Sequence, residues 1–354
     1  MTPARYGSGP LVGCGLPVVT SLSKACFNIH SGNDESGDLM IAGVDIGGTK
    51  IAVGMVDDNG QVREQQQCAT DAAGGYRKAI ANVERMLRST SNKAGVEITG
   101  IGIGSTGPVY PFTGQFGNVD FFPQWCGENP VADLAKVFNV SVAMENDGDA
   151  AALAEASWGA GRNKNTLLYV TIGTGIGVGV ILNGKIYRGV DQAHPEIGHH
   201  VIDPSGPLCS CGFQGCWESF AAGPALVSWM KRSVPDDYAH LPALTAKRIF
   251  ELAREGDEWA KRAVAHEAKY LGLGLANLVT MFVPDVIILG GSVMKSADLL
   301  LDRAREIIAA SCKFVPFERT EITLASLGED TNLIGAARVW YSHFGQGSTP
   351  KSTS

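Results

Sequence analysis

Two apolar hairpins, each interrupted by glycines, constrain the fold of this 354-residue chain more than any other feature. The first lies near residues 41–63 and is broken by Gly-Gly-Thr at 47–49. The second lies near 167–187 and is broken by alternate glycines at 173–179. Segments with helical spacing, such as 76–91, lie between strand-like segments. Strands that alternate with helices predict an α/β fold, and the likeness of the two hairpins suggests two related halves.

The same patterns predict the remaining elements. Short runs rich in branched apolar residues predict strands at 98–103, 140–144, 286–289 and 321–325. Apolar residues at helical spacing predict helices at 131–138, 149–158, 224–278, 297–310 and 333–343. The length suggests about two domains.

The ends of the chain differ from the rest in composition. Residues 1–39 are rich in glycine, serine and proline without a sustained period, which predicts a poorly ordered extension. Residues 347–354 are interpreted as a flexible tail. The run Leu-Val-Gly-Cys at 11–14 is similar to a lipoprotein cleavage site, but no apolar run precedes it, so a signal peptide is rejected.

Charge and cysteine content argue against several classes of protein. The chain has 29 Lys and Arg against 36 Asp and Glu, a formal net charge of -7. This balance argues against a broad nucleic-acid or membrane-binding surface. The longest apolar stretch, at 271–294, contains Asn277, Pro284 and Asp285 and therefore does not predict a membrane span. Eight cysteines, mostly scattered, favour a cytoplasmic protein over a disulfide framework.

Two glycine loops have the composition of phosphate-binding loops. The first contains Asp45, Gly47, Gly48, Thr49 and Lys50, and the second contains Thr171, Gly173, Thr174 and Gly175. Adjacent glycines let backbone N–H groups point into one concavity that binds phosphate. An acid beside them can hold a hydrated Mg²⁺. The alternatives are a plain hairpin turn for the first loop and close sheet packing for the second.

Two competing nucleotide motifs are weaker. Residues 102–107 match G-x-G-x-x-G after a strand, but Pro108 and Pro111 follow where a dinucleotide fold needs a helix. An NAD-dependent enzyme therefore stays a minor alternative. Residues 179–185 are similar to a P-loop, but Ile186 stands where Ser or Thr must contact Mg²⁺, so this motif is rejected.

A polar run at 145–149 ends one strand and begins an alanine-rich helix. A carboxylate there, such as that of Asp147, can accept a proton from an alcohol, and the helix N-terminus helps to keep it ionised. Asn146 can hydrogen-bond a hydroxyl group as donor and acceptor. Helix capping by Asp147 or Asp149 is the alternative, although capping needs only one such residue.

A metal site is predicted by the spacing of His199, Cys209, Cys211 and Cys216. Three thiolates and one imidazole suit tetrahedral Zn²⁺ and leave no ligand position open, which predicts a structural ion. A redox pair or free thiols are the alternative. If zinc fixes one ring nitrogen of His199, the ring would form a polar wall with Glu196 and Glu218.

These motifs together resemble the ROK family (repressor, open reading frame, kinase) of sugar kinases over residues 41–344. The resemblance lies in VDIGGTK, GIGSTGPV, ENDGDAAALAE, TIGTGIGVG, PEIGHH, CSCGFQGCWE and ILGGS. It implies the two-domain actin-like ATPase fold, which is ribonuclease H-like, with an interdomain cleft. The implied domains are 40–146 plus 331–346, the smaller, and 147–330, the larger, with the zinc loop. It also implies a homodimer that uses Mg²⁺ with ATP to phosphorylate a hexose, usually on the 6-hydroxyl.

The resemblance also implies roles for individual residues. It makes Asp147 the catalytic base and places two glycine loops on the ATP phosphates, with Gly290 and Gly291 near the adenosine. The implied sugar-binding residues are Ser105, Gly107, Asn118, Asn146, Asp147, Glu196, His199 and Glu218.

Two departures from the family pattern bear on the sugar. Asn118 matches a family asparagine, but Phe121 stands in place of a second one, and Gly148-Asp149 replaces the commoner Ala-Asn. Glucose is the expected substrate. N-acetylmannosamine, N-acetylglucosamine and fructose are the alternatives, and a sugar-sensing regulator without turnover is a second class.

Overall fold

The computed structural model describes residues 39–119, 121–235 and 244–345. The strands in these ranges are β1 Ile41–Ile46, β2 Lys50–Val56, β3 Val62–Ala69, β4 Gly100–Ser105, β5 Val109–Tyr110, β6 Gln115–Phe116, β7 Ser141–Asn146, β8 Leu167–Ile172, β9 Ile176–Leu182, β10 Lys185–Ile186, β11 Val286–Gly290 and β12 Glu321–Leu324. The helices are α1 Tyr76–Ala94, α2 Pro130–Phe138, α3 Asp147–Trp158, α4 Glu218–Ala221, α5 Gly223–Ser233, α6 Ala246–Arg254, α7 Glu258–Phe282, α8 Leu301–Ser311 and α9 Thr331–Phe344.

Two five-stranded sheets have the same topology. Their strand orders are β3-β2-β1-β4-β7 and β10-β9-β8-β11-β12. In each sheet the central strand, β1 or β8, forms an antiparallel hairpin with the strand that follows it in the chain. On its other side the central strand pairs in parallel with β4 or β11. The fourth and fifth strands are also parallel. The two related halves suggested by the hairpins are therefore visible in the sheets.

Helices α3 and α9 connect the two halves. Helix α9 packs against β1, β4 and β7 of the first sheet, whereas α3 packs against β8 and β9 of the second, and the two helices pack on each other. The approach is close because small residues line it. A Cβ atom on Gly102 would overlap the carbonyl oxygen of Ala336, and one on Gly335 would overlap that of Ala150.

Each sheet has its own apolar core. The second sheet packs against α5 to α8 through aliphatic residues and the buried Trp217. The first packs against α1 and α2 and against an aromatic cluster of Tyr76, Phe116, Phe122 and Trp125. Phe122 stacks on Trp125 with ring centroids 4.3 Å apart. This cluster fixes the segment before Trp125 beside the end of β1.

The predicted elements are confirmed with small changes in their bounds. The helical pattern at 224–278 forms α5, α6 and α7, and the helix expected at 297–310 begins at Leu301 after a 3-10 segment. The hairpin β5–β6 and the short α4 were not expected. No helix in the described ranges is long and apolar enough to cross a bilayer.

Some predictions lie outside the described residues. These are the extension up to residue 38, the cysteine at 14 and the tail after 346. The predicted domain boundaries stay predictions, although the packing of α9 on the first sheet agrees with the assignment of 331–346 to the first domain.

Gly102→Ala should lower the free energy of unfolding by about 1–3 kcal/mol or more, because the added methyl group has to displace the backbone of α9. Chemical denaturation monitored by circular dichroism measures this change. Gly189→Ala is the control, since its Cβ would lie 3.4 Å from the nearest atom, the carbonyl oxygen of Ala193. Equal stability of the two variants would contradict the close helix–sheet approach.

Candidate active site

The first glycine loop joins β1 to β2 and follows the buried Asp45. Gly47 donates a backbone hydrogen bond to the carbonyl oxygen of Lys50 at 2.9 Å. Thr70 fixes the loop from β3, since its hydroxyl donates to the carbonyl oxygen of Gly47 at 2.6 Å. Thr49 and Lys50 are exposed beside the two glycines. A tight, anchored loop of this kind can present backbone N–H groups to a phosphate.

Phe121 lies on this loop. A Cβ on Gly48 would be 2.6 Å from Cγ of Phe121, so the ring rests directly on the glycine. Phe121 is 51% exposed although its neighbour Phe122 is buried in the aromatic cluster. The residue that departs from the family pattern therefore contacts the first loop, and much of its ring stays accessible to a ligand.

The second glycine loop lies beside a third glycine turn, formed by Gly290 and Gly291 after β11. Gly173 donates to the carbonyl oxygen of Gly175 at 2.9 Å and accepts from the backbone of Gly223, the first residue of α5, at 2.8 Å. Gly291 has a positive φ of 89° and packs on Ile172, and Ser292 lies near Gly173. The N-terminus of α5 thus meets the second loop, which adds a positive end of a helix dipole to its N–H groups.

The glycines of the second hairpin have different partners. Gly179 packs on the backbone of Gly148 in α3, so here close packing explains the glycine. Gly175, by contrast, lies against the carboxylate of Glu218, which accepts a hydrogen bond from Ile176 N–H at 2.9 Å. Close packing therefore explains Gly179, whereas phosphate binding by the loop at 171–175 stays a prediction. Gly290 is buried and packs on the hydroxyl group of Tyr169.

Asp147 is the first residue of α3, directly after the edge of the first sheet. Asn146 caps the helix through its side-chain oxygen, which accepts from Gly148 N–H at 2.8 Å. The carboxylate of Asp147 accepts from the same N–H group at 2.8 Å. Gly107 lies close to the amide nitrogen of Asn146. Asn146 therefore provides the helix cap through its side-chain oxygen, and capping does not require the carboxylate of Asp147.

Two acids have raised pKa values at this point. Burial, with the nearby charge of Asp147, raises the pKa of Asp45 from 3.8 to about 7, against the opposing effect of Lys50. Burial also raises the pKa of Asp147, against the hydrogen bond from Gly148 and the charge of His194, while Asp149 and Glu196 add to the increase. Such a pair of close carboxylates suits hydrated Mg²⁺ on the Asp45 side.

A buried ionic network lies behind Asp147 and was not expected from the sequence. Arg188 bridges the carboxylates of Glu145, on β7, and Asp149, on α3. His194 Nδ1 lies 2.8 Å from the same Asp149 oxygen that Arg188 contacts. His343, on α9, lies 3.1 Å from Glu145. The only sequence signals were an acid within the helix-capping run and a histidine two residues before Glu196.

The four predicted metal ligands come together. The ligand atoms of His199, Cys209, Cys211 and Cys216 all lie within 4.8 Å of one another. His199 Nδ1 is 3.4 Å from Cys209 Sγ, and the Sγ atoms of Cys211 and Cys216 are 3.5 Å apart. Tetrahedral zinc with Zn–S bonds of about 2.3 Å separates its ligands by about 3.8 Å, so the donor set fits this ion.

The other predicted sugar residues differ in exposure. Glu196 is exposed and Glu218 is partly buried against the second loop. Asn118 is exposed. Ser105 is fully buried, and its hydroxyl contacts the carbonyl oxygens of Ile46 and Thr106, so it joins the ends of β1 and β4. The 102–107 motif leads into β5 rather than a helix, which argues against dinucleotide binding.

Known proteins are similar to this chain in sequence and fold. A sequence profile of the ROK family matches residues 41–343. The chain belongs to the ROK family. Among its relatives, the glucokinase of Thermotoga maritima is 30% identical over 309 residues, which are 85% of this chain and 97% of that protein.

Solved ROK structures have the same two-domain actin-like fold. The ROK hexokinase from Thermus thermophilus has a TM-score of 0.73 at 33% identity, covering 87% of this chain and 100% of that one. A ROK family glucokinase from Streptomyces griseus, solved with glucose and AMPPNP, has a TM-score of 0.72 at 31% identity, covering 86% and 99%. An N-acetylmannosamine kinase from Yersinia pestis and a xylose repressor from Caldicellulosiruptor bescii are also relatives, at 31% and 29% identity.

Asp45→Asn should raise the free energy of unfolding at pH 8 by about 2–4 kcal/mol, since the folded protein raises the pKa of this acid from 3.8 to about 7. The folded state binds the proton more tightly than the unfolded state, so stability is lost as the pH rises from about 4 to about 7. Urea denaturation without magnesium nucleotide at pH 4 and pH 8 measures the difference, which should nearly vanish at pH 4.

Asp57→Asn is the matched control for this measurement. Asp57 is also buried, but it pairs with Arg63 at 2.7 Å and accepts from the backbone of Asn59 and Gln61. Its loss should lower stability at pH 8. A gain in both variants would indicate a general effect of net charge and contradict the account of Asp45.

Proposed function

We propose that this ROK protein is an ATP-dependent hexose kinase that transfers the γ-phosphoryl group of ATP to the 6-hydroxyl of glucose. One observation carries the proposal. Asp147 is the first residue of α3, and its carboxylate interacts electrostatically with Asp45, before the first glycine loop, and with Glu196, a proposed sugar contact. A base in this position lies between the two reactants of a phosphoryl transfer. The kinship with hexokinases and glucokinases supports the same activity.

Each part of the site has a separate task in this reaction. Asp147 accepts the proton of the 6-hydroxyl as the sugar oxygen attacks the γ-phosphorus. The two glycine loops and the N-terminus of α5 bind the phosphates through N–H groups. Asn146 and Glu196 are proposed sugar contacts, with Gly107 and Asn118 on the adjoining loops. Asp45 would hold magnesium, which neutralises phosphate charge when bound.

Three further residues support this site through different contacts: Glu218, His199 and Ser105. Glu218 binds the backbone of the second loop and can also contact the sugar. His199 is held at Nδ1 by the thiolate cluster, which leaves Nε2 for a sugar hydroxyl. Ser105 fixes the strand ends on which Gly107 and Asn146 lie. Closure of the two domains would exclude water, the competing acceptor.

A panel of sugars in a coupled ADP-release assay tests the function and the substrate. Glucose should give the highest kcat/KM, and N-acetylmannosamine, N-acetylglucosamine, mannose and fructose serve as comparisons. Omission of each sugar measures background ATP hydrolysis. A higher kcat/KM with an N-acetylhexosamine would replace glucose as the substrate. No turnover with any sugar, together with DNA binding at moderate salt, would instead support a sugar-sensing regulator.

Asp147→Asn should lower kcat by about 10²–10⁴-fold, because the amide cannot accept the proton. The affinity for glucose should change little, since the amide keeps the size and hydrogen-bonding capacity of the side chain. Steady-state kinetics and calorimetric titration with glucose measure the two effects. An unchanged kcat would show that Asp147 is not the base.

We also propose that His199, Cys209, Cys211 and Cys216 hold one structural Zn²⁺. Elemental analysis should find about one zinc per chain. Cys211→Ser should lose the metal and weaken glucose binding, since His199 is no longer fixed. Cys68→Ser is the control, because Cys68 lies on β3, outside the cluster. Full glucose affinity in the metal-free variant would contradict the link between metal and sugar.

A homodimer in the cytoplasm completes the proposal. Family resemblance supports the dimer, and the scattered cysteines support a reducing compartment. Light scattering coupled to size-exclusion chromatography measures the mass of the particle, for which twice the chain mass is expected.

A further inference from the structure

The network behind Asp147 carries an excess of negative charge unless a histidine is protonated. Glu145 and Asp149 are buried acids, and Arg188, 11% exposed at its side chain, is the cation that bridges them. Two carboxylates and one guanidinium leave one negative charge in a region of low dielectric. This excess charge favours a second cation next to Asp149.

His194 occupies this position. Its Nδ1 lies 2.8 Å from Asp149 Oδ2, and its side chain is only 12% exposed. Burial lowers the pKa of His194, but the hydrogen bond and charge of Asp149, with the charges of Glu196 and Asp147, outweigh it and raise the pKa overall. The imidazole is thus favoured in its charged form, in the same electrostatic environment as Asp147.

His194 also connects the helix that begins at Asp147 to the loop that carries Glu196. Asp149 lies two residues after Asp147 in the first turn of α3, and His194 lies two residues before Glu196. The hydrogen bond between Asp149 and His194 therefore fixes the loop of the proposed sugar contact to the helix of the base. A fixed ring is a better electrostatic partner than a mobile side chain, since it needs no reorganisation.

We propose that His194, held by Asp149, is a positioning residue of the phosphoryl transfer and supplies the counter-charge of the catalytic base Asp147. The inference rests on the proposed function for Asp147. It assigns to His194 no contact with either substrate. Its positive charge keeps Asp147 ionised, and therefore able to accept the sugar proton, despite the burial of the carboxylate and the acids around it.

Several other charged groups act on the same two residues. Asp147 also interacts with Asp45 on β1, which Lys50 on β2 partly offsets, and with Asp149 and Glu196. The charges of Asp149 and Glu196 raise the pKa of Asp147, whereas the hydrogen bond from Gly148 N–H and the charge of His194 lower it. Among the charged side chains that act on Asp147 from α3 and the 194–196 loop, His194 is the one that favours the ionised form. Arg188 binds Asp149 and Glu145 directly.

The pH dependence of kcat/KM for glucose tests this role. His194→Gln keeps a hydrogen-bond donor for Asp149 but removes the charge. The acidic limb of the pH profile of this variant should move to higher pH by about one unit. At pH values below the limb, its kcat/KM should be about tenfold lower than that of the wild type. At the plateau the two should agree within about threefold. His194→Lys restores a positive charge and should return most of the limb toward the wild-type pH.

His343→Gln is the matched control, because His343 pairs with Glu145 in the same network but is not among the charges that act on Asp147. Its acidic limb should follow the wild type. An unshifted limb in His194→Gln, an equal loss at every pH, or an equal shift in His343→Gln would each overturn the proposal.

An NMR titration of the histidine ring protons supplies a test that needs no His194 variant to fold. Coupling between two charges is reciprocal, so Asp147→Asn should lower the pKa of His194 relative to the wild type. An unchanged value would overturn the proposal. The titration stays informative if no sugar is phosphorylated, and it therefore separates failure of this inference from failure of the proposed function.

Discussion

The burial of several carboxylates where α3 begins is the constraint on which the site depends. Asp45, Glu145, Asp147 and Asp149 come from three elements that meet at one edge of the first sheet. Bringing several negative charges together in a buried region is costly unless cations lie close to them. The positive charges of Arg188 and His194 balance the negative charges of Glu145 and Asp149. Asp45 and Asp147, which the proposed function assigns to magnesium and to the sugar proton, have raised pKa values.

This arrangement explains why the glycines are distributed as they are. Acids can come close together only if backbones approach closely, and Gly102, Gly148 and Gly179 allow α9, β4, α3 and β9 to do so. Asp149 is fully buried, so its two cationic partners act in a region of low dielectric. Packing and charge are linked, because a bulkier strand would separate the acids and weaken their mutual effect.

The sequence predicted the elements, and the approach of the four candidate metal ligands to one another, because both depend on local patterns. Glycine loops after strands, the capping run at 145–149 and the spacing of the three cysteines each have a local physical reason. The contacts of Arg188 and His194 were not predicted, since each reaches an acid about 40 residues away in the chain. The burial of Ser105 and the contact of Phe121 with Gly48 also depend on tertiary packing that no local pattern encodes.

The two sheets have the same topology, but they carry different side chains at one corresponding position. Asp45 and Thr171 occupy the same place, each on a central strand opposite a glycine of the neighbouring parallel strand, Gly104 or Gly290. An ancestral duplicate would have placed the same residue in both. One copy is an anion and the other is a neutral alcohol. In the proposed nucleotide site, the Asp45 side would hold magnesium and phosphate, whereas the Thr171 side would be uncharged. We therefore expect a triphosphate to bind between the two loops in one direction only.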